Sequence, residues 1–141
     1  MKTPYVSVCV VAYNHEKYIH NCIMSVVSQA RDVSLELLIG DDCSNDKTEA
    51  ICRRLEILYP KIIRYFKHDK NIGPSGNYQF LIKMACGKYI SHLDGDDFLL
   101  PGKLKLQVNK LETNLNWSAV YTNAICIKDN NETVGVFNNN Q

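Results

Sequence analysis

Four short apolar runs, each followed by a polar cluster or loop, constrain the fold of this chain more than any other feature. They occupy residues 5–11, 35–40, 62–66 and 89–93 and read YVSVCVV, LELLIG, IIRYF and YISHL. Runs of this length, rich in β-branched and other apolar side chains, are typical of strands buried on both faces. Segments of helical period separate them. This alternation predicts an α/β fold with a mostly parallel sheet and helices on both faces.

The first two helices carry recognisable start signals and apolar stripes. Residues 16–29 predict a helix with Asn14 as its N-cap, and the predicted buried stripe is Ile19, Cys22, Ile23, Val26 and Val27. Asp46 and Glu49 have the spacing of a capping box at the start of the next helix, which Pro60 ends. The buried face of that second helix is predicted to be Ala50, Ile51, Leu55 and Leu58.

The remaining elements are shorter. Residues 77–84 predict a helix that Gly87 ends, residues 119–123 predict a fifth strand, and residues 125–137 predict a hairpin. With 141 residues, the chain is expected to form a single domain over 1–141. The polar tail at 138–141 is expected to fray.

Composition narrows the partners and the compartment. The formal net charge of +1 gives no electrostatic case for binding nucleic acid or an anionic membrane surface. No apolar run approaches the ~20 residues that cross a bilayer, and the N-terminus lacks a signal-peptide pattern. We therefore expect no transmembrane segment and a cytoplasmic location, free or peripheral to the inner face of a membrane. Five of the six cysteines lie among apolar residues and are expected to be small buried hydrophobes in a reducing compartment.

Three polar clusters stand where predicted strands end. Ala12, Tyr13 and Asn14 follow the first strand, Asp41 and Asp42 follow the second, and residues 94–97 follow the fourth. Ligands of open parallel sheets bind beyond the carboxyl ends of the strands. If the strands are parallel, the three clusters meet at one edge of the sheet and predict a single binding site there.

The acidic loop, residues 94–97, has the chemistry of a cation site. Asp94 and Asp96 are two residues apart, so in extended chain they project to the same side, whereas Asp97 points away and is expected to help cap the next helix. Gly95 allows a tight turn and close approach of a ligand. Two carboxylates in an open loop suit Mg²⁺ or Mn²⁺ shared with a phosphate. The alternative is a solvated acidic turn.

The other clusters offer groups for a nucleotide. Tyr13 can stack on a base, or it can be an ordinary buried tyrosine. Only one of two adjacent aspartates can face the site, and there it can accept from a base N–H or a ribose hydroxyl. Residues Asn71, Gly73 and Asn77 precede or open a helix, where backbone N–H groups meet phosphate, although turn chemistry explains them equally well. No dinucleotide-fold or P-loop glycine motif is present. His92 is expected to be packed rather than catalytic.

Six motifs, in order over residues 6–104, resemble the N-terminal half of the GT-A glycosyltransferases of family 2, an inverting group. They read VSVCVVAYN, S-x-x-x-Q at 25–29, LELLIGDDCSNDKT, N-x-G at 71–73, GKYISHLDGDD and P-x-K-L at 101–104. The resemblance implies a GT-A, Rossmann-like sheet and a nucleotide-sugar donor, with a UDP-sugar favoured. It also implies a glycan or lipid-linked acceptor and a divalent cation, Mn²⁺ or Mg²⁺.

The same resemblance implies roles for individual residues. Tyr13 would lie against the base, Asp42 would meet the base or ribose, and Asp96 would be the main metal ligand of a D-x-D motif. Asp94 would lie nearer the ribose and diphosphate. Val11 and Ala12 replace the usual proline or threonine, which leaves the base open. The catalytic base of the family lies in a later, acceptor-binding segment, so we expect it outside these residues.

Two alternatives remain at this point. The first is a nucleotide-sugar-binding fragment without catalysis. The second is a phosphoacceptor receiver domain, which would need an acidic pair after the first strand and a lysine after the fifth. The first strand here ends in Ala-Tyr-Asn, and Asn123 lies where the lysine would be.

Overall fold

The computed structural model describes residues 4–130 and 132–137, so the predicted fraying of 138–141 lies outside the described residues. Contacts divide the chain into two compact units, Met1–Lys105 and Leu106–Gln141, which are described separately. The elements are β1 Val6–Ala12, α1 Ile19–Val27, β2 Leu35–Asp41, α2 Thr48–Leu58, β3 Ile63–Lys67, α3 Gly73–Met84, β4 Tyr89–Asp94, α4 Lys103–Thr113, β5 Ala124–Ile127 and β6 Thr133–Phe137. A short 3-10 turn, Ser28–Arg31, follows α1.

The first unit is built on a four-stranded sheet in the order β3-β2-β1-β4 with every pair parallel. Val6 of β1 is in register with Leu35 on one side and Tyr89 on the other. All residues of β1 and β2 are buried, as their unbroken apolar sequences predict. In receiver-type folds the first strand lies between the second and third, whereas here it lies between β2 and β4. The predicted parallel sheet is confirmed, and the observed strand order contradicts the alternative of a receiver domain.

The helices bury one face each. The predicted stripe of α1 is fully confirmed, since all five of its residues are buried. The predicted face of α2 is partly wrong: Ala50 and Leu58 are exposed, and the buried residues are Thr48, Cys52 and Leu55. These three are spaced four and three residues apart, so they form one stripe on a helix. Thr48 is buried because its hydroxyl has a backbone partner in the first loop.

The starts of the first two helices differ from expectation. Asn14 does not cap α1, which begins at Ile19 after Tyr18. Asn14 instead has a positive φ of 56°, and its side-chain oxygen accepts a hydrogen bond from the N–H of Asn45 in the loop after β2. Asp46 does accept the N–H of Thr48 at 2.9 Å. Glu49 does not complete a capping box, because its carboxylate pairs with Arg53 and Lys67.

The later elements also differ in detail. Helix α3 begins at Gly73, earlier than predicted, with Pro74 in its first turn, where proline costs no hydrogen bond. It ends at Met84, so Gly87 is not its stop. In the second unit residues 119–123 form no strand, because a strand requires a paired neighbour. The predicted hairpin is observed as antiparallel β5 and β6; residue 131 of its turn lies outside the described residues.

The amino ends of the strands are joined by a buried polar network. Glu36 accepts hydrogen bonds from the Ser7 hydroxyl at 2.6 Å and the Cys86 N–H at 2.7 Å. The Gly87 N–H in turn donates to the Ser7 hydroxyl oxygen at 2.8 Å, and Arg64 pairs with Glu36 at 3.2 Å. This network fixes the start of β4 against β1 and β2 at the end of the sheet opposite the three polar clusters.

The cysteines are free, and the prediction that five are buried is wrong for two of them. Cys9, Cys22 and Cys52 are buried, whereas Cys86 and Cys126 are exposed. Apolar neighbours in sequence do not ensure burial at the end of a helix or in a hairpin. Burial raises the pKa of the Cys9 and Cys52 thiols to about 12, so both are protonated at neutral pH. Over the described part of the chain no helix is both long and apolar enough to cross a membrane.

Candidate functional site

A crevice of about 340 Å³ opens at the carboxyl ends of β1, β2 and β4. Its lining residues come from all three polar clusters and from the start of α3. They are Val11, Ala12, Tyr13, His15, Asp42, Asn71, Pro74, Asn77, Asp94 and Asp96. Seven of the predicted site residues therefore meet in one place. Asn14, Gly73 and Gly95 were also predicted and do not line the crevice, although each lies beside a residue that does.

The loop after β1 is held rigidly against the loop after β2. The Asn14 N–H donates to the Ser44 hydroxyl at 2.9 Å, and the Asn45 N–H donates back to the Asn14 side-chain oxygen at 3.0 Å. The His15 N–H donates to the Thr48 hydroxyl at 2.9 Å. These contacts leave Tyr13 between fixed neighbours with 47% of its surface exposed. Tyr13 is thus not an ordinary buried tyrosine, and its ring is available to a ligand.

The adjacent aspartates after β2 have separate structural positions. Asp41 is fully buried and accepts from the Ser44 N–H at 2.9 Å and the Tyr65 hydroxyl at 2.6 Å. Burial, together with the hydrogen bond to Asp41, raises the pKa of Tyr65 well above its ordinary value. Asp42 lines the crevice and accepts the Ile72 N–H at 2.7 Å through one carboxylate oxygen. Of the two, Asp42 is the aspartate placed to meet a ligand.

The polar groups of the segment that opens α3 are already hydrogen-bonded to other groups of the protein. The Gly73 N–H donates to the Asn71 side chain at 3.1 Å, and Gly73 has a positive φ of 78°. The Asn77 amide is buried, donates to the Gly40 carbonyl at 2.7 Å and lies 3.0 Å from the His68 ring nitrogen. The N–H groups of residues 72 and 73 are therefore paired within the protein, and Pro74 has none. Of the two explanations that the sequence left open for this segment, these hydrogen bonds are the turn chemistry.

The acidic loop is a tight turn against β1 and the first helix. The Gly95 N–H donates to the Val11 carbonyl at 2.9 Å, and the Asp97 N–H donates to the Asp94 carbonyl at 3.0 Å. A Cβ on Gly95 would lie 2.6 Å from Nδ1 of His15, so only glycine fits there. Asp94 and Asp96 line the crevice and Asp97 does not, as their spacing predicted. Among the described residues, no hydrogen bond joins the Asp97 carboxylate to the start of α4.

Charge accumulates in this loop. Burial, followed by the nearby charges of Asp96 and Asp94, raises the pKa of the Asp97 carboxyl above its ordinary value. A carboxyl whose folded pKa is raised binds its proton more tightly in the folded state, so its ionised form destabilises the fold as the pH rises. The loop is thus under electrostatic repulsion that a bound cation would relieve.

We expect Asp97→Asn to stabilise the protein at pH 7. The gain should be below about 1 kcal/mol, because the Asp97 carboxylate is only partly buried and solvent screens its charge. It should vanish as the pH falls below the ordinary pKa of an aspartate, where the wild-type carboxyl is also protonated. Thermal unfolding of both proteins between pH 3 and pH 7 measures this, and a variant less stable than wild type at pH 7 would contradict it.

The residues present fit a divalent cation only if the ligand supplies part of its coordination. Asp94 and Asp96 offer hard oxygen atoms, which Mg²⁺ and Mn²⁺ prefer. One oxygen of Asp94 lies 3.2 Å from Nε2 of His92. Among the described residues no group of three or more histidine, cysteine or acidic side chains is arranged to hold a metal ion. The donor set suits a cation shared with the oxygen atoms of a diphosphate.

Two histidines contribute to the site beyond the predicted residues. His92 was expected to be packed, but 43% of its side chain is exposed and it lies between the Tyr78 ring and Asp94. Its position two residues before Asp94 on a strand could have indicated this, since such residues share a face. His15 lines the crevice, and its buried Nδ1 has no hydrogen-bond partner among the described residues. No pattern in the sequence marks His15.

Comparison with known proteins shows the family to which the sequence belongs. The sequence model of the family described as Glycosyl transferase family 2 matches residues 7–138. Chondroitin synthase of Escherichia coli is 34% identical over 121 residues, which are 86% of this chain and 17% of that protein. An uncharacterized glycosyltransferase of Methanocaldococcus jannaschii is 30% identical over 138 residues, which are 97% of this chain and 47% of that protein.

Solved structures show the same fold. Staphylococcus aureus TarS in complex with UDP-GlcNAc matches with a TM-score of 0.70 and 25% identity over 84% of this chain and 37% of that one. The mannosyltransferase PcManGT from Pyrobaculum calidifontis, in complex with GDP-Man and Mn²⁺, matches with a TM-score of 0.70 over 79% of this chain and 33% of that one. At 22% identity this second likeness shows the fold alone. The predicted fold class is confirmed, and the chain spans less than half the length of these relatives.

Proposed function

The chain belongs to glycosyl transferase family 2, and on that premise we propose that it holds the nucleotide-sugar donor of an inverting sugar transfer. The observation that carries the proposal is the crevice itself. An exposed tyrosine, a carboxylate fixed by a backbone N–H and the first two carboxylates of the acidic loop line one volume at the carboxyl ends of the strands. The donor we favour is a UDP-sugar, and TarS has been solved with one.

Four of the lining residues have a part in holding the donor. Tyr13 presents its exposed ring for stacking on the base, and Asp42 uses its remaining carboxylate oxygen to accept from the base or a ribose hydroxyl. Asp94 and Asp96 would hold a Mn²⁺ or Mg²⁺ ion together with the diphosphate. When bound, that ion supplies charge neutralisation for the diphosphate leaving group. Asn77 also lines the crevice, but its amide is engaged with Gly40 and His68, so its part is to position the start of α3.

The groups that bind and activate the acceptor are proposed to lie outside these residues. The three carboxylates that line the crevice are all on the donor side, so we place the general base outside these residues. The acceptor is a glycan or a lipid-linked molecule, and the protein works in the cytoplasm, free or at the inner face of a membrane. The second candidate function, donor binding without transfer, uses the same crevice and differs only in whether a base is ever brought to it.

Nucleotide binding tests the proposal directly. Calorimetric titration of the chain with UDP, in the presence and absence of Mn²⁺, should show binding that the cation strengthens by about tenfold or more, because charge-assisted contacts to the diphosphate depend on it. GDP and ADP under the same conditions measure the choice of base. Failure of every nucleoside diphosphate to bind in the presence of Mn²⁺ would contradict both candidate functions.

A further inference from the structure

The first helix, α1, and the 3-10 turn after it are hydrogen-bonded to residues 99–104, the segment that follows the acidic loop. Gln29 is 2% exposed although its side chain is fully polar. Its amide nitrogen donates to the Leu100 carbonyl at 3.2 Å and to the Ser25 carbonyl at 3.1 Å. Its side-chain oxygen accepts the Leu104 N–H at 3.0 Å. One buried amide therefore joins two points of residues 99–104 to the end of α1.

Ser25, one turn earlier, adds a third point. Its hydroxyl oxygen accepts the Leu99 N–H at 3.0 Å, and its hydroxyl donates to the Cys22 carbonyl at 2.6 Å. Leu99 and Leu104 are buried, so the clipped segment is also packed. We name these contacts of Ser25 and Gln29 with residues 99–104 the α1 clip. Leu99 is two residues beyond Asp97, so the clip begins almost where the acidic loop ends.

The entry to the acidic loop is held by the same helix. The Cys22 thiol lies 3.6 Å from the Asp94 carbonyl, and the side chain of Ile19 approaches the Cα of Gly95 closely enough that a Cβ would lie 3.1 Å away. The loop is thus bounded on both sides by α1, whereas its carboxylates Asp94 and Asp96 face the crevice.

We infer that Gln29, with Ser25, is a positioning residue that sets the acidic loop for cation and diphosphate binding, and that this is the use of the S-x-x-x-Q motif. The inference rests on the proposed function for its binding consequence and on the hydrogen bonds alone for its structural part. Neither residue lines the crevice, so any effect on binding must pass through the loop. A misplaced loop carboxylate would lose its geometry with the cation even though no ligand had been removed.

The test uses Gln29→Met, which keeps side-chain length and removes both hydrogen-bonding ends, in the full chain. Affinity for UDP with Mn²⁺ should fall on the order of tenfold, as expected when binding groups shift by a fraction of an ångström. Affinity for UDP without the cation should change little. Ser25→Ala, which removes the acceptor for the Leu99 N–H and leaves the Gln29 contacts in place, should give a smaller loss and serves if the first variant does not fold.

The matched control is Ser7→Ala. Ser7 is also fully buried and also accepts a backbone N–H, from Gly87, but at the opposite end of the sheet. It should lower Tm comparably and leave the affinity with Mn²⁺ unchanged. Equal affinities for wild type and Gln29→Met, with a lowered Tm, would overturn the inference and leave Gln29 as a purely structural residue.

A readout without ligand separates this inference from the proposed function. Amide hydrogen exchange at Gly95 and Asp97 should be faster in Gln29→Met than in wild type and unchanged in Ser7→Ala. Unchanged exchange in both variants would overturn the structural part. If wild type binds no nucleotide, the proposed function fails and the binding part of the inference fails with it. The exchange rates still decide whether α1 sets the loop.

Discussion

Replacing Asp96 with asparagine is expected to weaken Mn²⁺-dependent binding of UDP by roughly 100-fold, because removing even a partner of a metal ligand typically costs 10–100-fold. Asp96 lines the crevice, its side chain is exposed to an incoming ion, and in the proposed site it is one of only two protein ligands. With so few ligands, no neighbouring carboxylate can replace the negative charge that is lost when Asp96 becomes a neutral amide. Calorimetry with UDP at fixed Mn²⁺ measures the loss.

Asp97→Asn is the matched control for that experiment. It makes the same chemical change one residue away, in a side chain that does not line the crevice. It should reduce the affinity only slightly, through the loss of long-range attraction for the cation, and it should stabilise the free protein by relieving repulsion within the loop. Equal losses for the two variants would mean that the direction of the side chains does not decide the ligand, and the assignment of Asp96 would fail.

Gly87→Ala is expected to destabilise the protein by about 3 kcal/mol or to prevent folding, since forcing extra atoms into a packed site costs 1–3 kcal/mol or more. A Cβ at this position would lie 2.5 Å from the Ser7 backbone nitrogen and 2.8 Å from its hydroxyl oxygen. These atoms belong to the buried central strand and cannot move aside. The clash also breaks the hydrogen bond from the Gly87 N–H to Ser7. Urea denaturation of the purified chain measures the loss.

Gly76→Ala makes the same change where there is room for it. Gly76 lies in α3, and a Cβ there would meet only the Ile72 side chain at 3.5 Å, an ordinary contact. Alanine in a helix is favoured over glycine by roughly 0.5–1 kcal/mol, so this variant should be slightly more stable than wild type. A similar loss for both variants would show that the packing of Gly87 is not the cause.

The fold was largely readable from the chain because strand and helix signals act locally. The apolar runs before the three polar clusters gave strands within a residue or two of those observed, and the stripe of α1 was fully correct. The boundaries that failed were set by distant contacts. Thr48 is buried on α2 because it meets the backbone of His15, and Gly87 is required by Ser7 rather than by the helix before it. Neither partner is close in sequence.

The candidate site divides in the same way. By itself the sequence placed polar clusters at strand ends, and parallel pairing then brought Tyr13, Asp42 and Asp96 to one crevice, because the carboxyl ends of parallel strands share an edge. Only the tertiary structure decided which polar groups are free for a ligand. It gave the Asn77 amide to Gly40 and His68, and the N–H groups at the start of α3 to Asn71 and Asp42. The reason is physical: a buried polar group takes whichever partner the fold brings within hydrogen-bond distance, and partners such as Gly40 for Asn77 or Asp42 for Ile72 lie 30 or more residues away in the chain.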